Sequence, residues 1–193
     1  MRFNLSIGNS QPLSYFPQCR NVNNLTLISN ETIHLSSLSL VNLSSYISLS
    51  KLRHLILNTQ LNRQDLEQLF SSMSLHSLDI NYSQLHSNLN LSTINNLSLI
   101  NEPISSEDID YLIQCLIPHL EHLQMIVKTS FDCQQVLDSL LSLTKCNRLI
   151  SIKICICQTL SDEIERDLQP KFSSNQWIPV KYQMDSWYLY IWK

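Results

Sequence analysis

The sequence predicts an α/β fold built as an irregular solenoid, with short parallel strands on a concave face and helices or turns on a convex one. Two observations carry this. One spacing, apolar-x-x-apolar-x-apolar, recurs as Val22-Leu25-Leu27, Leu35-Leu38-Leu40, Leu52-Leu55-Leu57, Leu75-Leu78-Ile80, Ile94-Leu97-Leu99, Leu120-Leu123-Met125 and Leu149-Ile152-Ile154. Composition agrees with it: of 193 residues 34 are Leu and 20 Ile, interleaved with 29 Ser and 17 Asn. The last two apolar residues of each unit have period 2 and point the same way from a short strand. Successive units start 13, 17, 23, 19, 26 and 29 residues apart. Such strands pair in parallel with the matching strand of the next unit, each repeat burying its leucines against its neighbours.

The connections follow in order. The two earliest are too short for a full helix and are expected to be extended or 3₁₀. After the third unit, Asn62 is placed to cap a helix with Leu66, Leu69, Phe70 and Met73 on one stripe. Ser105 or Ser106 opens a second, with acids in its first turn, where the helix dipole favours them, and with Ile109, Leu112, Ile113 and Leu116 inside before Pro118. Ser130 or Asp132 starts a third, burying Val136, Leu137, Leu140, Leu141 and Leu143. Ser161 begins a short fourth, closed by Pro170. Val180 to Met184 and Trp187 to Trp192 then read as a hairpin around Asp185-Ser186. The organisation expected is an N-terminal extension or truncated cap over 1–20, the solenoid over 21–170, and a Trp/Tyr-rich cap over 171–193 that covers the open end of the last repeat.

Composition excludes several function classes. Dinucleotide turns and P-loops need glycines where backbone meets phosphate, and the chain has one Gly, Gly8. A net charge of −3 attracts neither nucleic acid nor acidic lipid. The N-terminal segment lacks the unbroken apolar run of a signal peptide, and no stretch is apolar enough to span a membrane. Five of the six cysteines follow residue 110 without the spacing of a disulfide framework, so reduced thiols and a cytoplasmic or nuclear location are expected. The seven N-x-S/T sequons, at Asn4, Asn24, Asn30, Asn42, Asn81, Asn90 and Asn96, are then expected to stay unmodified.

The repeated unit resembles the leucine-rich repeat, in the segments VNNLTLISN, LRHLILNTQ, LHSLDINYS, INNLSLINE and LEHLQMIVK. In that family an Asn or Cys three residues after the last leucine satisfies backbone groups of the turn. Here Asn30 and Cys157 match, while Leu43, Gln60, Ser83, Glu102 and Lys128 do not, which implies an irregular array. With its long helical connections and closing WIPVKYQMDSWYLYIW, the chain looks most like the C-terminal leucine-rich region of F-box-type substrate adaptors. The resemblance implies substrate recognition on behalf of a ubiquitin ligase. The first 20 residues are too short for an F-box, so binding to the cullin adaptor does not carry over.

On a concave sheet the variable residues beside the leucines face outward. His54, Ile56, Asn58, Ser77, Asp79, Asn81, Asn96, Ser98, Ile100, His122 and Gln124 are the candidate partner-binding residues. The mixture is neutral, polar and partly aliphatic, suited to a protein or peptide rather than to phosphate. No nucleic-acid or membrane partner, no cofactor and no metal are expected. His54 and His122 sit on strands about 14 Å apart, too far to share a metal. Cys155-Ile156-Cys157 lacks a second paired motif. No nucleophile elbow occurs, and the acids at Glu102, Glu107, Asp108 and Asp110 suit a helix start. The sequence predicts a non-enzymatic recognition module. Its alternatives are a structural C-terminal fragment packed on a missing N-terminal domain and, more distantly, a metal-dependent or hydrolytic enzyme.

Overall fold

The computed structural model describes residues 2–6, 21–28, 43–44, 47–85, 89, 91–105, 108–109, 112, 119–142, 148–157, 166, 170, 181–184 and 187–192. The fold is α/β, with mostly parallel strands and few helices among these residues. The chain forms two compact units, Met1–Ile94 and Asn95–Lys193. This division falls inside the stretch expected as one solenoid. It leaves no mark in the sequence, because Ile94-Leu97-Leu99 carries the apolar spacing straight across it.

The first unit contains β1 (Arg2–Ser6), β2 (Asn24–Ile28), β3 (His54–Asn58) and β4 (Ser77–Asn81). Each pairs in parallel with the next, Arg2 opposite Asn24, Asn24 opposite His54, and His54 opposite Ser77. Parallel neighbours in matching register place Leu25, Leu55 and Leu78 in one buried row, with Leu27, Leu57 and Ile80 also buried. Fully burying one such side chain contributes about 1.5–3 kcal/mol. β1 was not expected. RFNLS has the two period-2 apolar positions but not the one three residues before them. The unit expected at Leu35-Leu38-Leu40 lies outside the described residues, and β2 pairs directly with β3.

The connections obey local chemistry. A 3₁₀ turn at Leu49–Lys51 precedes β3, of the kind expected for the short early connections. Helix α1 (Arg63–Ser71) starts at Asn62, whose Oδ1 accepts from the Asp65 N–H at 2.9 Å, and it buries Leu66, Leu69 and Phe70. A second 3₁₀ turn, Tyr82–Gln84, follows β4 and carries Gln84 inward, 4% exposed. Gln84 Nε2 donates to the Thr59 carbonyl at 2.8 Å, and its Oε1 accepts from the Leu61 N–H at 3.0 Å. One buried amide thus satisfies the turn that ends β3, a requirement any enclosed backbone group must meet.

The second unit contains β5 (Asn96–Ile100), β6 (His122–Val127), β7 (Ser151–Ile156), β8 (Lys181–Met184) and β9 (Tyr188–Trp192). β5, β6 and β7 are parallel. β9 runs antiparallel to β7 and to β8, so the tail forms the expected pair of strands and closes the free edge of β7. Asn101, immediately after β5, has a left-handed φ of 64°, a conformation Asn tolerates better than most residues. Helix α2 (Ser130–Ser142) packs Cys133, Val136 and Leu137 into the core beside β6 and β7. Its start is reciprocal. Thr129 Oγ1 accepts from the Asp132 N–H at 3.2 Å, and Asp132 Oδ2 accepts from the Thr129 N–H at 2.9 Å. Thr129 takes the capping place expected for Ser130 or Asp132, because its side chain and the residue three further on satisfy both ends of the turn.

Of the second expected helix, Ser105 precedes the turn with its carbonyl accepting from the Asp108 N–H at 3.2 Å, Asp108, Ile109 and Leu112 are helical, and the rest lies outside the described residues. Of the fourth, Arg166 and Pro170 are helical. Where that helix ends lies outside the described residues.

A single hydrogen-bond motif recurs before the strands. The Asn23 carbonyl accepts from the N–H groups of Arg53 and His54, and the Arg53 carbonyl from those of His76 and Ser77. In the second unit the Asn95 carbonyl serves Glu121 and His122, and the Glu121 carbonyl serves Ile150 and Ser151. The preceding apolar residue, Val22, Leu52, Ile94 or Leu120, is buried each time.

Candidate functional site

Strand alternation sends every second residue to the face opposite the leucines. In the first unit this places His54, Ile56 and Asn58 on β3 and Ser77, Asp79 and Asn81 on β4. His54 Nε2 lies 3.3 Å from Asp79 Oδ1, a diagonal contact between neighbouring strands, with both side chains 24% exposed. Ser77 is opposite His54, and Ile56 is opposite Asp79. Asn58 is exposed at the end of β3. Asn81, expected on the open face, is buried at 8% exposure where the 3₁₀ turn leaves β4, and offers a partner little surface.

In the second unit the expected residues also come together. Asn96 is opposite His122, and Ser98 is opposite Gln124, with Ile100 at the end of β5. Asn96 Oδ1 is enclosed and has no hydrogen-bond partner among the described residues. Register then carries each row further than the candidate list did. His122 is opposite Ser151, which is opposite Trp192, which is opposite Lys181. Gln124 is opposite Lys153, Tyr190 and Gln183 in turn. Ile126 is opposite Cys155, and Cys155 is opposite Tyr188.

These additions change the chemistry of the face. The Lys153 ammonium stands 4.6 Å from the ring centroid of Tyr188 and 5.4 Å from that of Tyr190, within cation–π range. The two rings are 5.9 Å apart. Sequence reasoning gave the tail a capping role and left these residues out of the site. The signal was present: YLYIW alternates, so Leu189 and Ile191 fill the core while Tyr188, Tyr190 and Trp192 face outward half-buried.

Two arrangements invite a chemical reading. His122 Nδ1 and Ser151 Oγ are hydrogen-bonded at 2.7 Å on an exposed surface. Among the described residues no carboxylate orients the other imidazole nitrogen, which is the third element a hydrolytic constellation uses. Of the cysteines at the end of β7, Cys155 is half-buried on the open face and Cys157 is exposed past the strand. Among the described residues no group of three or more His, Cys, Asp or Glu is placed to hold a metal ion.

No family model, curated relative or solved structure matches the chain. No helix among the described residues is long and apolar enough to cross a membrane.

Proposed function

We propose that this chain is a non-enzymatic recognition module that binds a protein or peptide on the outward faces of its strands. The carrying observation is the composition of those faces. They present half-buried Asn, Ser, Gln, His, Ile, Tyr and Trp in register, in place of either an apolar core surface or a charged phosphate track. Interface centres favour aromatics and are poor in charge, as here. The carbonyl motif repeated before the strands and the buried first apolar residue of each described unit support a leucine-rich-repeat-like solenoid. Its substrate-recognition role would be of the kind F-box-type adaptors perform, in the cytoplasm or nucleus.

The test is affinity capture from cell lysate with the wild type and one variant per unit. His54→Glu with Asp79→Lys replaces that hydrogen-bonded pair by an attractive acid–base pair with the acid on β3 and the base on β4. Asn96→Arg with Gln124→Glu alters the second face. Circular dichroism first establishes equal folding. A protein captured by the wild type and lost with either folded variant is the expected result. Capture unchanged by both variants, or no capture by the wild type, overturns the proposal.

A further inference from the structure

The second unit's open face has a charge pattern at odds with the whole chain. Its outward residues on β5 to β9 include Lys153 and Lys181 and no Asp or Glu, in a protein whose net charge is −3. Lys153 has no carboxylate partner among the described residues; the Tyr188 and Tyr190 rings hold its ammonium instead. An ammonium has three donors, and a ring face uses none of them as a full hydrogen bond. The group is therefore pre-positioned to receive one anion. Beside it, Tyr190 and Trp192 form a half-buried aromatic strip, and exposed Gln183 and half-buried Gln124 lie in the Lys153 row with amides to offer a passing backbone.

Resting on the recognition reading above, we propose that this face binds an extended acidic peptide. Its carboxylates would engage Lys153 and Lys181, and an apolar or aromatic residue between them would lie on Tyr190 and Trp192. The spacing follows from the register. Lys153 and Lys181 are two strands and two residues apart, or about 12 Å at ~4.8 Å per strand and ~3.3 Å per residue. An extended peptide covers that distance in about three or four residues. Single-stranded nucleic acid also stacks on aromatics, but it brings a phosphate with every base and binds in grooves lined by many cations. Two lysines suit a peptide bearing two acids.

The experiment is display selection of random short peptides on the purified full chain, followed by titration of the enriched peptides. The expected outcome is enrichment of Asp or Glu pairs at that spacing around an apolar residue, with affinity falling as salt rises. Lys153→Gln, which removes the charge and keeps a polar side chain, is expected to weaken binding about tenfold or more. Tyr190→Ser should weaken it comparably, with folding verified by circular dichroism. Peptides without acidic enrichment, or binding that survives Lys153→Gln, overturn the proposal. Tight binding of a fluorescent oligothymidylate in place of acidic peptides overturns it in favour of nucleic acid. Peptides lost with His54→Glu and retained with Lys153→Gln overturn this site while leaving the recognition reading standing. No enrichment at all overturns this site, while the recognition reading stands or falls by the capture experiment.

Discussion

Replacing Gln84 by Met removes two hydrogen bonds while nearly conserving side-chain volume, so it isolates the polar part of a buried turn. In the native chain the Gln84 amide serves the Leu61 N–H at 3.0 Å and the Thr59 carbonyl at 2.8 Å. Thr59, Leu61 and Gln84 are 4%, 6% and 4% exposed, so water does not readily replace the lost partner. Leaving a buried backbone group unsatisfied costs about 1–3 kcal/mol. Two such groups, less the gain from burying a thioether in place of an amide, give about 2–4 kcal/mol. That is a large part of the roughly 5–15 kcal/mol that holds a domain folded. Urea unfolding measures the loss, and hydrogen exchange at Leu61 localises it. A loss below about 0.5 kcal/mol, with Leu61 still protected, would show that the amide does not hold this turn.

Burial, helped by the negative charge of Asp132, pushes the Cys133 thiol from 9.0 up to about 12. The unfolded chain then ionises where the folded chain does not, so this contribution is complete below pH 9.0 and is lost as the pH rises towards about 12. Urea midpoints above pH 9.0 should fall more steeply for the wild type than for Cys133→Val. Asn62→Ala removes the cap of α1 and should cost about 1 kcal/mol in the same assay, and Asn62→Asp, which keeps the acceptor but sets a carboxylate against the Asp65 carboxylate that the Asn62 amide now serves, should also destabilise. Leu78→Ala, at a position with 0% exposure, should cost about 2–5 kcal/mol. Its neighbour Asp79→Ala, which loses only a part-buried hydrogen bond with His54, should cost about 0–1 kcal/mol.

What the sequence disclosed divides by the range of the interaction. Strand positions and the α1 stripe follow from spacing within a few residues, and Leu25, Leu55, Leu78, Leu97 and Leu123 are all buried where the pattern puts them. The Asn62 cap is equally local. Gln84 was illegible because its partners, Thr59 and Leu61, are more than twenty residues away in a different turn. The repeat's usual position for a turn-satisfying side chain holds Ser83, one residue earlier. The direct pairing of β2 with β3 was hidden for a related reason: Leu35-Leu38-Leu40 has the same spacing as the units of β2 and β3, and spacing does not say which units pair. The site was half legible. Alternation put His54 beside Asp79 and His122 beside Gln124 on common faces. It could not show that an antiparallel partner would set Tyr190 opposite Lys153, since that depends on the register of β7 with β9.

A parallel strand at a free edge needs another backbone to pair with, and β9 supplies one by reversing direction. Its two faces then do separable things. Leu189 and Ile191 lie opposite Ile154 and Ile152 and are buried with them, while Tyr188, Tyr190 and Trp192 enlarge the open face. Mutation should separate the two roles. Leu189→Ala opens a cavity at a position with 0% exposure and should destabilise the fold by about 2–5 kcal/mol. Tyr190→Ser removes a half-buried ring whose contacts are chiefly the Lys153 ammonium and the Tyr188 ring, and should cost less than about 1.5 kcal/mol. If Tyr190→Ser unfolds the protein as readily as Leu189→Ala does, the aromatics are themselves part of the cap. Stability retained by Tyr190→Ser, with ligand binding lost, assigns the hairpin's outer face to recognition and only its inner face to closure.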